Sequence, residues 1–489
     1  MLKKKILTYT LINIGGKAFN YLFQILILTI LVKTLGVNEY GIFVLAIALI
    51  GNSNLLEAGF GLSSTKYIAE YHAKNDLDGI NKVISTNFLI NTLMALFFAF
   101  VLFILNEFYI EKVFKISHLF LDKAKISMRI LIALSFFEFW VVGFIRIMEG
   151  FKNFFAARLM ENLKWFFRLA LIFIFFKFEK GLTTVCWAYF WAGIIEFFII
   201  WIIVFKIYPE IKIGFKYFDK DILKINLNFS VWIMISKLSA FIMYRLNTIL
   251  LGIFVEMSYI TYYNIASKIY ELLKYGVSLL SSAIIPVASN LNANSEFEKL
   301  KKLFIKSTYY TVAISSPFIV FFSINSSKVI TIWLGKGYEP SFMVSSLLVL
   351  SLFPSLFSAS GAEIFVGIGK VKQLVLHSII ASGIGFLFML FLISEYKIFA
   401  VVTGTFISSI MISASYTYIF LNYFSLNFSF LLKYLFVPIL SSLIIILISI
   451  INNNIFIALS SVVLYFVILV FFIISKEDRK IFFKLKKLC

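Results

Sequence analysis

The chain has 489 residues, of which 61% are hydrophobic and only 14% are charged, and its formal net charge is +20. A soluble domain averages about 45–50% apolar and about 25% charged residues, so this composition excludes a soluble globular protein. Apolar stretches of about 20 residues, the length of a membrane-spanning helix, recur along the whole chain. They are too long for barrel strands and lack strict alternation. The sequence therefore predicts an all-α polytopic membrane protein.

Residues suited to metal or disulfide chemistry are few and scattered. One of the two cysteines, Cys186, lies in an apolar stretch and the other, Cys489, is the last residue. The three histidines have no ligand spacing, so we expect no metal site, no cofactor and no disulfide framework. The lysines at positions 3–5 resemble the start of a signal peptide. No small-residue cleavage site follows them, which predicts a retained first helix.

Apolar runs between charged, Gly, Asn or Pro breaks predict about fourteen transmembrane helices. In chain order the predicted spans are 7–32, 40–62, 83–106, 127–148, 157–177, 183–205, 225–253, 259–289, 303–324, 341–367, 373–394, 398–421, 432–450 and 455–474. Pro317 and Pro354 are expected to interrupt the ninth and tenth spans, since proline removes a helical hydrogen bond.

The basic residues indicate how these spans are oriented, because Lys and Arg accumulate in cytoplasmic connections. The termini and the connections after even-numbered spans hold 28 of the 45 basic residues, and the other connections hold 10. This distribution predicts an even number of spans with both termini in the cytoplasm. Topology thus accounts for the net positive charge, and we expect no nucleic acid partner.

Several ionisable residues fall inside the predicted spans, where a charge costs roughly 2.5–3.5 kcal/mol and usually faces a partner or a wet cavity. With the charged ends of the fourth, fifth, ninth and thirteenth spans counted with their connections, the basic ones are Lys17, Arg129, Arg168, Lys237, Arg245, Lys268 and Lys274, and the acidic ones are Glu57, Glu138, Glu196, Glu271 and Glu363. Arg129 is at a helix edge and can extend to the interface. Glu138 and Glu196 are near mid-span and can pair with Arg168.

The seventh and eighth spans hold the largest share of this positive charge. Lys237 and Arg245 are eight residues apart, so one broad helix face can present both. Glu271 lies three residues from Lys268 and from Lys274 and can neutralise one of them. The remaining excess of positive charge predicts an anion-binding site. Its predicted ligands are Lys17, Lys237, Arg245, Lys268 and Lys274, with Glu271, Glu138, Arg168 and Glu196 as charge partners or coupling groups.

A weak internal repeat relates the two halves of the chain. An offset of 220 residues, without gaps, places Lys17 over Lys237, Tyr21 over Phe241 and Ala46 over Ala266. Both segments run from inside to outside, so the repeat is parallel. It predicts two six-helix lobes, 1–208 and 209–424, around a central cavity that can open to either face. Residues 425–489 are predicted to form an appended helix pair and a basic cytoplasmic tail.

Short motifs in both halves resemble a known family. They are Asn13 to Gly16 (NIGG), Leu35 to Phe43 (LGVNEYGIF), Glu57 to Leu62 (EAGFGL), and Tyr262 to Ala266 (YYNIA) followed by Pro286. With the helix count, they resemble bacterial polysaccharide-biosynthesis flippases, the O-antigen-type, Wzx-like members of the polysaccharide transport family. The resemblance extends over essentially the full chain.

This resemblance implies a two-lobed fold of twelve or fourteen helices, shared with drug/cation antiporters and the lipid II flippase. It also implies a substrate, an oligosaccharide on undecaprenyl diphosphate, which alternating access moves to the outer leaflet of the bacterial inner membrane. The diphosphate would supply the predicted anion through charge-assisted hydrogen bonds. The implied partners are this substrate, membrane lipids and other polysaccharide-assembly proteins. Arg245 and Asn247 stand where many relatives of the broad fold have an acidic residue, which weakens a carry-over of cation coupling.

Three other functions stay open at this point. A lipid II flippase would also bind a diphosphate, and only the opening motifs argue against it. A cation-coupled multidrug antiporter would present excess acidic residues, whereas the spans hold seven basic and five acidic residues. A polytopic glycosyltransferase or polysaccharide polymerase would need an acidic motif in a sizeable external loop. The 107–126 loop has no paired carboxylates, so we expect a transporter without catalytic residues.

Overall fold

A computed structural model describes residues 2–51, 53–226, 241–242, 246–282, 284–429, 448 and 454–468. Every regular element within these ranges is helical. Two predicted site residues, Lys237 and Arg245, lie outside the described residues. So do most of the thirteenth predicted span, 432–450, and part of the seventh, 225–253.

The helices of the first half are α1 (Leu2–Ile50), α2 (Ser53–Ala73), α3 (Leu77–Ile104), α4 (Ile110–Val113), α5 (His118–Gly150), α6 (Phe154–Phe175), α7 (Leu182–Ile207), α8 (Leu246–Phe254) and α9 (Met257–Ser282). They are followed by α10 (Ile284–Ala293), α11 (Phe297–Ile324), α12 (Ser326–Leu334), α13 (Pro340–Leu350), α14 (Leu356–Gly367), α15 (Val371–Tyr396), α16 (Ile398–Tyr423) and α17 (Ile455–Ile468). A π-helical turn at Leu105–Tyr109 joins α3 to α4.

Within the described residues, eight helical segments are long and apolar enough to cross a membrane. They are Ala18–Ile50, Leu77–Val113, His118–Gly150, Leu182–Ile207, Met257–Ala293, Phe297–Ile324, Val371–Tyr396 and Ile398–Tyr423. Shorter apolar helices are α13, α14 and Ile455–Tyr465. The chain is a multi-pass helical membrane protein, and the total of fourteen spans stays a prediction.

The helices continue through two of the predicted breaks and stop at a third. The predicted connection 33–39 is helical on both sides of Gly36, which adopts φ 72° and ψ 178° and bends α1 there. Glycine accepts this positive φ because it has no Cβ. The predicted break at Pro354 separates α13 from α14, whereas α11 continues through Pro317.

The predicted external loop 107–126 is also mostly helical. The π-helical turn and α4 prolong α3 to Val113, and α5 begins at His118. A charged residue ends an apolar stretch of the sequence, but the helix continues past it when the charge is paired with a nearby side chain. Here Arg129 donates two hydrogen bonds, both 2.7 Å long, to the carboxylate of Glu107.

Packing contacts divide the chain into a first unit, residues 1–261, and a second unit, residues 262–489. This division differs from the lobes 1–208 and 209–424, which stay a prediction.

In the first unit α5 packs against α2, α3 and α7, with Phe144, Met148 and Ile200 buried among them. Polar residues of α3 bind the segment after α7. The Asn81 Oδ1 atom accepts the Lys212 N–H at 2.8 Å.

In the second unit α15 and α16 form an antiparallel pair with an extensive contact. Gly385 and Gly404 lie at their closest approach, where a Cβ on Gly385 would collide with Ser408 and with the Gly404 carbonyl. Small residues of this kind let membrane helices approach closely. An aromatic core completes the unit, in which the rings of Phe304 and Phe424 stack at 5.0 Å between centroids.

Candidate functional site

Ionised side chains of α5 and α6 meet inside the first unit. On α6 they occupy positions 158, 161, 164 and 168, so the 3.6-residue period puts them on one helix face. The start of α6 is set by Asn153, whose Oδ1 accepts the Ala156 N–H at 3.2 Å. Both helices thus present charged residues to each other across a short connection.

Glu138 of α5 is bonded to two cations of α6. Its Oε1 atom accepts a hydrogen bond from Lys164 Nζ and another from Arg168 Nη2, each at 2.7 Å. The Arg168 side chain is only 7% exposed. Its guanidinium lies 4.4 Å from the ring centroid of Tyr189 and 5.0 Å from that of Trp165. A carboxylate and two aromatic faces therefore stabilise this buried charge.

Three further ion pairs continue the network towards the α5–α6 connection. Buried Glu149 accepts from Arg146 at 2.7 Å and from Arg158 at 2.9 Å. Arg158 also donates to Glu161 at 2.5 Å. We call the whole set the ion-pair cluster. It consists of Glu138, Arg146, Glu149, Arg158, Glu161, Lys164 and Arg168.

Glu196 of α7 lies beside this cluster. With Glu196 ionised, four acidic and four basic residues meet in this region, and their formal charges cancel. The side chain is 3% exposed, and its Oε2 atom has no hydrogen-bond partner within the described part of the chain. The Oδ1 atom of Asn20 on α1 is likewise buried and unbonded there.

A partly open cavity of about 330 Å³ lies between α1, α5, α6 and α7. We call it the N-terminal cavity. Its lining residues are Asn20, Glu138, Val141, Val142, Ile145, Arg146, Glu161, Lys164, Trp165 and Glu196. Within the described residues, no group of three His, Cys, Asp or Glu side chains could hold a metal ion.

The structure brings only some of the predicted site residues together. Lys268 donates to Glu271 at 2.7 Å within α9. The Lys274 amine lies 6.0 Å from the ring centroid of Tyr270 on the same helix. The backbone of Lys17 belongs to α1, but its side chain, like the whole of Lys237 and Arg245, lies outside the described residues. A common anion site for all five therefore stays a prediction.

Sequence reasoning missed most of the ion-pair cluster. The charge count assigned Arg146, Arg158 and Lys164 to the cytoplasmic connection, although they fall within the bounds of the fourth and fifth predicted spans. The structure places them within α5 and α6. The pattern was nevertheless present in the sequence. Charges three or four residues apart along α6 indicate one continuous helix face, which apolar windows alone do not detect.

Comparison with known proteins identifies the family. Residues 6–292, more than half of the chain, match the family model described as "Polysaccharide biosynthesis protein". The chain belongs to this polysaccharide biosynthesis family. A Shigella flexneri protein named "Putative O-antigen transporter" is 24% identical over 368 residues, which cover 74% of this chain and 84% of that protein. An uncharacterised membrane protein of Methanocaldococcus jannaschii is 22% identical over 349 residues, 69% of each chain.

Solved transporter structures share the fold of this polysaccharide biosynthesis protein. The lipid II flippase MurJ in an inward closed conformation superposes with a TM-score of 0.75 at 16% identity, over 94% of this chain and 97% of that chain. An inward-facing multidrug resistance MATE family transporter of the MOP superfamily superposes with a TM-score of 0.70 at 16% identity, over 84% of this chain and 94% of that chain. The ion-pair cluster lies within the segment that matches the family.

Proposed function

We propose that this polysaccharide biosynthesis protein is a flippase. It would transfer an oligosaccharide carried on undecaprenyl diphosphate from the cytoplasmic to the outer leaflet by alternating access. The observation that carries the proposal is the family match over residues 6–292 in a multi-pass membrane protein. The O-antigen transporter relative supports the substrate class, and the MurJ-like and MATE-like fold supports transport.

The diphosphate of the substrate would bind to the predicted cationic set Lys17, Lys237, Arg245, Lys268 and Lys274. Charge-assisted hydrogen bonds from lysine and arginine to phosphate oxygens are strong where water is scarce. Lys268 is already positioned by Glu271, and its side chain is 16% exposed. The ion-pair cluster is a poor alternative for this role, since its three carboxylates, those of Glu138, Glu149 and Glu161, would repel a diphosphate.

The proposal places the protein in the bacterial inner membrane with both termini in the cytoplasm, and it assigns no catalytic step and no cofactor. Its partners would be the lipid-linked substrate, the surrounding lipids and other proteins of polysaccharide assembly. The distribution of basic residues supports the orientation. The helical course of residues 105–150, broken only at 114–117, leaves little space there for a sugar-polymerising site.

Substitution of the two repeat-related lysines tests the proposal in cells. The source cells would carry Lys17→Ala or Lys237→Ala in place of the native chain, and surface polysaccharide would be measured beside the amount of inserted protein. We expect both variants to insert normally and to lose surface polysaccharide. Lys302→Ala, an exposed lysine on α11, is the matched control and should keep it. Normal polysaccharide in both variants would contradict the proposed cationic site.

A further inference from the structure

We infer that the N-terminal cavity binds sugar residues of the substrate, at a site separate from the diphosphate site. This inference rests on the proposed function and adds a carbohydrate-binding site to it. It follows from the chemistry of the cavity wall, which differs from what either a diphosphate or a metal ion would require.

The first argument concerns unsatisfied hydrogen-bond acceptors in the cavity wall. The Oε2 atom of Glu196 and the Oδ1 atom of Asn20 are buried without a partner among the described residues. A buried acceptor without a donor costs about 1–3 kcal/mol, so such atoms usually mark a place for water or a ligand. Both residues line the same cavity, and a hydroxyl group is the kind of donor that such acceptors lack.

The second argument concerns the mixture of groups around these acceptors. Lys164 and Arg146 supply donors to the same wall, and Trp165 supplies a half-buried aromatic ring. Each sugar hydroxyl both donates and accepts, so a sugar needs donors and acceptors side by side. The apolar C–H face of a sugar ring packs well on an aromatic face. The contact of Arg168 with Trp165, 5.0 Å to the ring centroid, helps to hold that ring in place.

Charge argues against a diphosphate in this cavity. Its wall includes three carboxylates, those of Glu138, Glu161 and Glu196, and two basic side chains. Both basic side chains already bond carboxylates, Lys164 at 2.7 Å to Glu138 and Arg146 at 2.7 Å to Glu149. A diphosphate would add negative charge beside carboxylates without gaining an unpaired cation. A neutral polyol avoids this repulsion.

The same wall argues against a bound metal cation. Hard cations such as Mg²⁺ and Ca²⁺ prefer oxygen ligands, and an ammonium or guanidinium group in the wall would repel them. The volume of about 330 Å³ is at the lower end of the ~300–1,000 Å³ typical of small-molecule pockets. This is far more space than one ion fills, and it suits a small part of an oligosaccharide.

Two lipid probes can separate sugar binding from diphosphate binding. The full-length protein in lipid nanodiscs would be titrated with the undecaprenyl diphosphate-linked oligosaccharide of the source cells and with undecaprenyl diphosphate without sugar. We expect the wild type to bind the sugar-bearing lipid at least about tenfold more tightly. In Glu196→Gln and in Trp165→Ala the ratio of the two affinities, sugar-bearing over sugar-free lipid, should fall towards one. The affinity for the sugar-free lipid should change less than about twofold.

Matched variants keep the result interpretable if a cavity variant folds poorly. Trp165→Phe retains an aromatic face and should keep most of the preference for the sugar-bearing lipid. Trp191→Ala replaces a tryptophan of α7 that is 47% exposed, and Glu70→Gln replaces an exposed carboxylate paired with Lys74. Both controls should bind the two lipids as the wild type does. A lost ratio in these controls would overturn the assignment to the cavity.

The remaining outcomes distinguish this inference from the proposed function. Equal binding of both lipids by the wild type would overturn the sugar site and leave diphosphate recognition intact. Failure of the wild type to bind either lipid would overturn the proposed function itself. A variant Glu196→Gln that keeps the ratio but changes the dependence of transport on pH or sodium would identify a coupling-ion site and would also overturn the sugar site.

Discussion

The two units of the molecule use different polar chemistry in their interiors. In the first unit Glu149, Arg168 and Glu196 are buried, and charged side chains bond one another across α5 and α6. In the described residues of the second unit, the buried polar side chains are serine, threonine and one asparagine, Asn325. In its ion pairs Lys268–Glu271 and Lys299–Glu296, the carboxylates are 48% and 35% exposed.

Hydroxyl groups and ionised groups have different consequences inside a membrane. A serine or threonine bonds its own helix or a neighbouring hydroxyl, as Thr311 and Ser360 do at 2.9 Å, and allows close helix packing. Burial of an ion pair costs desolvation energy that often equals or exceeds the attraction between the two charges. Charged residues inside a membrane protein are therefore retained mainly where they serve a ligand or a moving charge. The second interior is packed with small polar residues, whereas the charged interior of the first unit contains the cavity for which we propose sugar binding.

The largest expected effect comes from removal of the carboxylate at the centre of the ion-pair cluster. Glu138→Ala would leave Arg168, which is 7% exposed, and Lys164 without their shared partner. Breaking a buried pair in this way costs about 3–5 kcal/mol. The free energy of unfolding, measured by denaturant titration in bicelles, should fall by that amount. Glu70→Ala, at an exposed pair, is the control, and an equally small loss in both variants would refute the assigned role.

A smaller effect is expected at the closest helix contact of the second unit. Gly385→Ala places a Cβ against Ser408 and the Gly404 carbonyl, so α15 and α16 must separate. Overpacking of this kind costs about 1–3 kcal/mol. Gly383→Ala on the same helix meets no atom within 4 Å and should be close to neutral in the same unfolding assay. Similar stability of the two variants would show that small residues do not determine this packing.

The smallest effect is expected for a hydroxyl pair of the second unit. A double-mutant cycle of Thr311→Val and Ser360→Ala removes one buried hydrogen bond of 2.9 Å. Interhelical hydrogen bonds in membrane proteins average about 0.6 kcal/mol in such cycles. A coupling energy as large as the loss of unfolding free energy in Glu138→Ala would contradict the distinction drawn between the hydroxyl-bonded interior of the second unit and the ionic interior of the first.

The overall fold could be predicted from the sequence to a large extent. Apolar windows predicted spans that overlap every long apolar helix, because helical structure is the way an apolar segment satisfies its backbone in lipid. Helix ends could not be predicted equally well, since paired charges allow a helix to continue beyond its apolar window. The bidentate pair of Arg129 with Glu107 and the extension of α5 to Gly150 are two examples.

The candidate site could be predicted only in part. A search for charges inside spans selected Glu138, Arg168 and Glu196, which do lie around one region of the first unit. It missed Arg146 and Lys164, because both were counted with a connection between spans. Which charges meet depends on how α5, α6 and α7 pack, and this three-dimensional information is absent from hydropathy.

The most direct test of the central claim is a leaflet-transfer measurement. The full-length protein would be reconstituted in vesicles that contain the undecaprenyl diphosphate-linked oligosaccharide of the source cells, and the sugar exposed on the opposite leaflet would be measured over time. The account predicts protein-dependent transfer of a chemically unchanged glycolipid, with transfer lost in Lys17→Ala. Absence of transfer, or elongation of the sugar chain by the protein, would contradict it.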